Sequence, residues 1–144
     1  MTGKSDVKRY RGGCLCGAVT FEVALPATFV GHCHCSMCRR AHGAAYVTWV
    51  GVPVGMFYLT KGKETLVDYQ SSDHVTRSFC GRCGSPMFCN DARHAEAAHL
   101  TLASLQGDTG LIPEAHYFFD SRADWTKVHD DLPKLGGKSG LMPL

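Results

Sequence analysis

The 144-residue sequence lacks an N-terminal apolar stretch of signal-peptide length; its opening, MTGKSDVKRYRGG, is polar and charged. That absence predicts a cytoplasmic protein, in a compartment where disulfides are disfavoured. There is no internal repeat, low-complexity block or linker, so residues 1–144 read as one domain, with 134–144 as a tail. An excess of charge is also missing. The formal net charge of +2 is too small and too scattered to mark a nucleic-acid binder, although Lys4, Lys8, Arg9 and Arg11 make the N-terminus locally basic. A membrane span is excluded too. Residues 43–60 carry no charge over 18 positions, but Gly51, Pro53 and Gly55 interrupt a run that would need about 20 apolar residues to cross. Two strands joined by a GVPVG turn are predicted there instead. Long helix-forming runs are few.

The sequence has 16 glycines, 10% aromatic residues and short strand-like runs, and these predict a mainly β fold with little helix. The runs fall at 18–23, 28–35, 44–52, 56–60, 65–70, 74–80, 86–89, 98–103 and 116–119. In the first, Val19, Phe21 and Val23 share one face while Thr20 and Glu22 share the other. Helix is predicted around Ser36–His42 and, more weakly, over 92–98. The tail, DDLPKLGGKSGLMPL, is expected to lie across the surface or fray.

Eight cysteines and eight histidines in so short a chain need a chemical explanation. Cys80 and Cys83 form a C-x2-C followed by Gly84, a zinc-knuckle pattern in which the turn points both sulfurs at one place and the glycine lets backbone amides face them. Cys14 and Cys16, in GGCLCG, can do the same. Together they supply the four ligands of a structural zinc site, a clamp with an apparent binding energy of ~10–16 kcal/mol by analogy with zinc-finger peptides. Disulfides, a redox dithiol at Cys80–Cys83 and free thiols are the competing explanations.

HCHCSMC adds three more cysteines. Cys33 and Cys35 fall on one face of an extended segment, His32 and His34 on the other, and Cys38 follows across a short turn. Three thiolates without an obvious fourth ligand describe an open site, as catalytic zinc uses, and a soft substrate thiol suits the vacant position. A closed site would take His42, one helical turn after Cys38, or Cys89.

The segments GGCLCGAVTF at 12–21, HCHCSMCRRAHG at 32–43, FCGRCGSPMF at 79–88 and HYFFDSRADW at 116–125 resemble, in order and spacing, the glutathione-dependent formaldehyde-activating enzyme family, which includes centromere protein V relatives. The resemblance runs over about residues 9–133. It implies a β-tent of small antiparallel sheets around two Zn2+ ions, one structural at Cys14, Cys16, Cys80 and Cys83, and one catalytic at Cys33, Cys35 and Cys38. It also implies a carbon–sulfur lyase that joins a small thiol such as glutathione to formaldehyde or another small carbonyl, as S-hydroxymethylglutathione synthase does. This chain departs from longer relatives by its brevity and by Cys89, which the zinc pattern does not use.

For the proton that such a reaction moves, His34, His42 and His116 are the candidate catalytic residues. Arg39 and Arg40 follow the second cysteine group and could hold the carboxylates of a glutathione-like thiol. Trp125 is expected in the core, or else as a pocket wall. The competing class is a non-catalytic, zinc-stabilised module that binds protein or nucleic acid. Charge argues against nucleic acid: seven ligating thiolates bring −7 and two Zn2+ bring +4, so the formal +2 becomes −1.

Overall fold

A computed structural model describes residues 7–144, and Lys4 of the basic N-terminal segment lies outside them. The chain forms two compact units. One comprises Val50–Gly110 with the chain up to Thr28, and the other comprises Phe29–Trp49 with Leu111–Leu144. Strands are β1 (Arg9–Gly13), β2 (Thr20–Ala24), β3 (Phe29–Cys33), β4 (Val47–Pro53), β5 (Phe57–Lys61), β6 (Leu66–Gln70), β7 (Val75–Cys80), β8 (Pro86–Asp91), β9 (Ala97–Thr101), β10 (His116–Tyr117), β11 (Leu135–Gly136) and β12 (Met142–Pro143). The one α-helix among the described residues is α1, Ser36–His42. The fold is mainly β, built of small sheets, as the sequence predicts.

In the first unit, β1, β2 and β5 form an antiparallel sheet in the order β1-β2-β5. A meander in the order β9-β8-β7-β6 lies in the same unit. Val19, Phe21 and Val23 are fully buried, which is the face expected from their alternation. Phe21 stacks on Phe57 at 5.5 Å and meets Phe88 edge-on at 5.1 Å. Gly12 makes room for that ring: it pairs with Phe21 across the β1–β2 ladder, and a Cβ there would fall 2.3 Å from the ring. Strand β1 escapes sequence reading because RYRGG has neither alternation nor β-branched residues. It forms because β2 offers a ladder and a ring that only glycine accommodates.

The uncharged segment is strand, turn and strand, with Val54–Met56 as a single 3-10 turn between β4 and β5. The two strands do not pair with each other; β5 pairs with β2. The weak helix signal at 92–98 yields only a 3-10 turn, Ala92–His94, capped by the Asp91 carboxylate.

In the second unit, β10 runs parallel to β3, with His116 opposite His32 and Tyr117 opposite Cys33. Parallel pairing needs a long connection, and more than eighty residues separate these strands in sequence. The tail does more than lie across the surface, for β11 and β12 pair antiparallel. Trp125 corrects its expectation. It is 69% exposed, because it sits in the turn closed by Thr126 N–H on the Ala123 carbonyl, and the buried position of that turn belongs to Ala123.

Phe21→Ala should cost about 3–5 kcal/mol of stability, since it empties the centre of an aromatic cluster. Ile112→Ala, at an exposed position, should change stability by less than about 0.5 kcal/mol. Denaturant unfolding of both variants checks the contrast.

Candidate metal centres

The first cysteine group assembles where two turns of the first unit meet. Cys14 and Cys16 lie in the turn between β1 and β2, Cys80 ends β7, and Cys83 lies in the turn before β8. Gly17 and Gly84 follow the two pairs with φ of +81° and +79°, the left-handed conformation that such turns require. Backbone N–H groups aim at the sulfurs: Val19 donates to Cys14 Sγ at 3.3 Å, and Arg82 and Cys83 donate to Cys80 Sγ at 3.3 and 3.5 Å. All four sulfurs lie within 4.8 Å of one another.

Two separations are 3.7 Å (Cys14–Cys16) and 3.8 Å (Cys16–Cys80). These are far longer than a disulfide bond. Four sulfurs ~2.3 Å from a central zinc would stand ~3.8 Å apart along each edge of the tetrahedron, so the donor set fits a tetrahedral ion of that size. Ser85, which sequence reasoning passed over, links the turns. Its hydroxyl accepts from Leu15 N–H at 3.0 Å and lies 3.1 Å from Cys83 Sγ. That hydroxyl, with the Ser85 backbone, holds the Cys83 thiol down at about 5. Burial opposes ionisation of Cys14, yet the Val19 N–H and neighbouring sulfurs bring it below its ordinary value. The Ala18 backbone favours the Cys16 thiolate, but desolvation and the other thiols push it up to about 11.

The second group lies in the second unit. Cys33 ends β3, Cys35 caps α1 by accepting the Cys38 N–H at 3.3 Å, and Cys38 is buried in the helix. Their sulfurs lie within 4.8 Å of one another, and no fourth histidine, cysteine or carboxylate among the described residues joins them. Cys33 is pushed up by its hydrogen bond to Cys35, then by Cys38 and burial. The Cys33 hydrogen bond favours the Cys35 thiolate, but Cys38 and desolvation outweigh it and Cys35 is also raised. A cation among these sulfurs would reverse both shifts.

The histidines follow the strand alternation. His34 is fully buried, and its Nε2 lies 2.8 Å from His116 Nδ1. His116, 1% exposed, donates from Nε2 to the Asp130 carboxylate at 3.0 Å. Burial first, then the neighbouring His116, holds the His34 imidazole down at about 4. His42 sets its ring edge-on to Trp49 at 5.4 Å. Cys89 stands in β8, accepts a hydrogen bond from His99 through its carbonyl, and joins neither thiol group. Arg39 donates to the main-chain carbonyls of His34 and Ser121, both at 3.1 Å, so its fork braces the strand end that carries the cysteines. Arg40, next on the helix, is exposed. Asp130 gave no signal in the sequence, since it stands in a polar segment without periodicity.

The family model described as "Glutathione-dependent formaldehyde-activating enzyme" matches residues 9–121. The chain belongs to this family. A Halomonas elongata protein named "Putative glutathione-dependent formaldehyde-activating enzyme" is 29% identical over 124 residues, which cover 81% of this chain and 79% of that one. An uncharacterized lyase of Schizosaccharomyces pombe is 29% identical over 84 residues, or 55% of this chain and 56% of the relative. The crystal structure of a Rhodobacter sphaeroides protein aligns with a TM-score of 0.59 at 30% identity, covering 72% of this chain and 97% of that one. The match to the formaldehyde-activating family spans all the cysteines of both groups and ends before Asp130. No helix among the described residues is long and apolar enough to cross a membrane.

Ser85→Ala should raise the Cys83 thiol and weaken the affinity of the four-thiol group for an added divalent ion such as zinc about 10–100-fold, the usual effect of removing a hydrogen bond that supports a ligand. Chelator competition at neutral pH measures it.

Proposed function

We propose that the chain holds two zinc ions and joins a small thiol of the glutathione class to formaldehyde or another small carbonyl, as a carbon–sulfur lyase running in the direction of bond formation. The observation that carries this reading is the three-thiol group, which no histidine, cysteine or carboxylate among the described residues completes, in a chain of the formaldehyde-activating family. Cys14, Cys16, Cys80 and Cys83 would hold the structural ion. Zinc held by Cys33, Cys35 and Cys38 would supply a soft acceptor that lets a substrate thiol ionise at neutral pH.

The remaining work falls to side chains. Arg40 stands on α1, the helix that carries Cys38, and is exposed, and a guanidinium recognises a carboxylate bidentately. Arg39 contributes chiefly by bracing the main chain at His34 and Ser121. The thiol sulfur bonds to the carbonyl carbon, the carbon–oxygen π bond becomes an alkoxide, and the proton lost by the thiol must reach that oxygen. His34 and His116 share one hydrogen bond between Nε2 and Nδ1, so a proton can pass along the pair by a change of tautomer that leaves both rings neutral. His34 stays neutral at physiological pH because burial disfavours its charged form, and a neutral ring can donate a hydrogen bond without bringing charge into the core. His42, packed on Trp49, stands outside this pair.

Incubating zinc-loaded protein with 13C-formaldehyde and glutathione should speed formation of S-hydroxymethylglutathione, followed by NMR. Cys38→Ser should abolish that acceleration, lower zinc content by one ion and leave the fold intact, whereas Cys83→Ser should cost folding itself. In cobalt-substituted protein, glutathione should strengthen the sulfur-to-metal charge-transfer band, and less so as pH falls, because the thiol must lose its proton to coordinate. A cobalt spectrum that ignores millimolar thiol would favour a binding module over an enzyme.

A further inference from the structure

A third set of donors converges apart from the cysteines. His32, His116 and Asp130 each offer a ligand atom, and these atoms lie within 4.8 Å of one another. The parallel pairing of β10 with β3 places His116 opposite His32, with ring centroids 4.8 Å apart. Both rings are fixed through Nδ1. That of His32 lies 2.8 Å from the Thr48 hydroxyl, and that of His116 lies 2.8 Å from His34 Nε2. In each ring this leaves Nε2 for another partner, and in His116 it meets both Asp130 oxygens at 3.1 and 3.0 Å. Histidines that bind metals are held in this way, one nitrogen on a fixed polar group and the other on the ion. The Asp130 side chain is 43% exposed, which gives an ion a route from solvent.

We propose that His32, His116 and Asp130 form a third metal site, for a divalent first-row transition ion such as zinc, with two imidazoles and one carboxylate as ligands and the remaining positions open to water. It is distinct from the three-thiol group because His32 and Cys33 are consecutive in β3 and point to opposite faces. Its carboxylate also lies outside the residues that the family model matches. An ion on Nε2 of His116 displaces the proton now donated to Asp130. The ring's proton must then sit on Nδ1 and be donated to His34 Nε2, which moves the His34 proton to its own Nδ1, a buried atom with no hydrogen-bond partner among the described residues. Occupancy of the site therefore sets which nitrogen of His34 carries its proton.

The test compares tag-free, zinc-loaded wild type with Asp130→Asn during dialysis against a series of buffered free-zinc concentrations, with bound zinc counted by elemental mass spectrometry. Wild type should take up one ion more than the variant, with weaker affinity than the thiol groups, and that difference does not depend on how many ions the cysteines hold. Cobalt added to the zinc-loaded protein should give weak d–d absorption without new sulfur charge transfer, and the 15N shifts of His34 should report the tautomer change. Should Asp130→Asn show an altered circular dichroism spectrum, His32→Gln replaces it. Equal zinc uptake by wild type and the folded variant at every concentration would overturn the proposal, as would cobalt bound beside retained zinc that brings a thiolate band.

Discussion

Thiolates packed at van der Waals distance repel one another, and the two cysteine groups are built around that repulsion. In the first unit, four sulfurs from two turns approach within 4.8 Å, where mutual repulsion costs several kcal/mol unless a cation sits among them. The environment has already divided them: Cys83 is driven to ionise by Ser85, while Cys16 is driven to stay protonated. A divalent ion removes the conflict, and the geometry leaves the size of hole it needs. The ladders β1–β2 and β7–β8 lead into these turns, so an ion at the sulfur junction would tie their ends together.

In the second unit the same repulsion is left with fewer donors. Cys35 does two jobs, since its sulfur caps α1 and also faces Cys33 and Cys38. A helix of seven residues has little stability of its own, and here it is held at one end by that cap and along its side by the Arg39 fork on two carbonyls. Lysine at 39 would keep the charge but lose the planar geometry that reaches both carbonyls at once. The three sulfurs thus sit on a rigid corner although they come from a strand end and a helix start.

The cysteine groups were legible in the sequence because C-x-C and C-x2-C flanked by glycine dictate their own turn, and the turn dictates where the sulfurs point. The alternation that put His32 and His34 opposite Cys33 was legible for the same reason, as a period of two needs no tertiary information. What stayed hidden depends on partners far along the chain. Strand β1 exists because Gly12 meets Phe21, and Ser85 matters because Leu15 lies against it. Asp130 reaches His116 because the chain just beyond it lies alongside, with the His116 N–H donating to the Pro133 carbonyl and a bridge joining His116 to Lys134. Trp125 misled because composition assigns a large aromatic ring to the core, whereas a turn with Ala123 inside leaves it in solvent.

The exposure of Trp125 has an optical consequence. The chain has two tryptophans, and both belong to the unit that carries Cys33, Cys35 and Cys38. Trp49, 6% exposed and edge-on to His42, is shielded from water, whereas Trp125 is 69% exposed. Intrinsic indole emission therefore carries two colours, a blue component from the shielded ring and a red one that a soluble quencher reaches first. The protein holds its own pair of fluorescent reporters on the half of the chain where the proposed chemistry takes place.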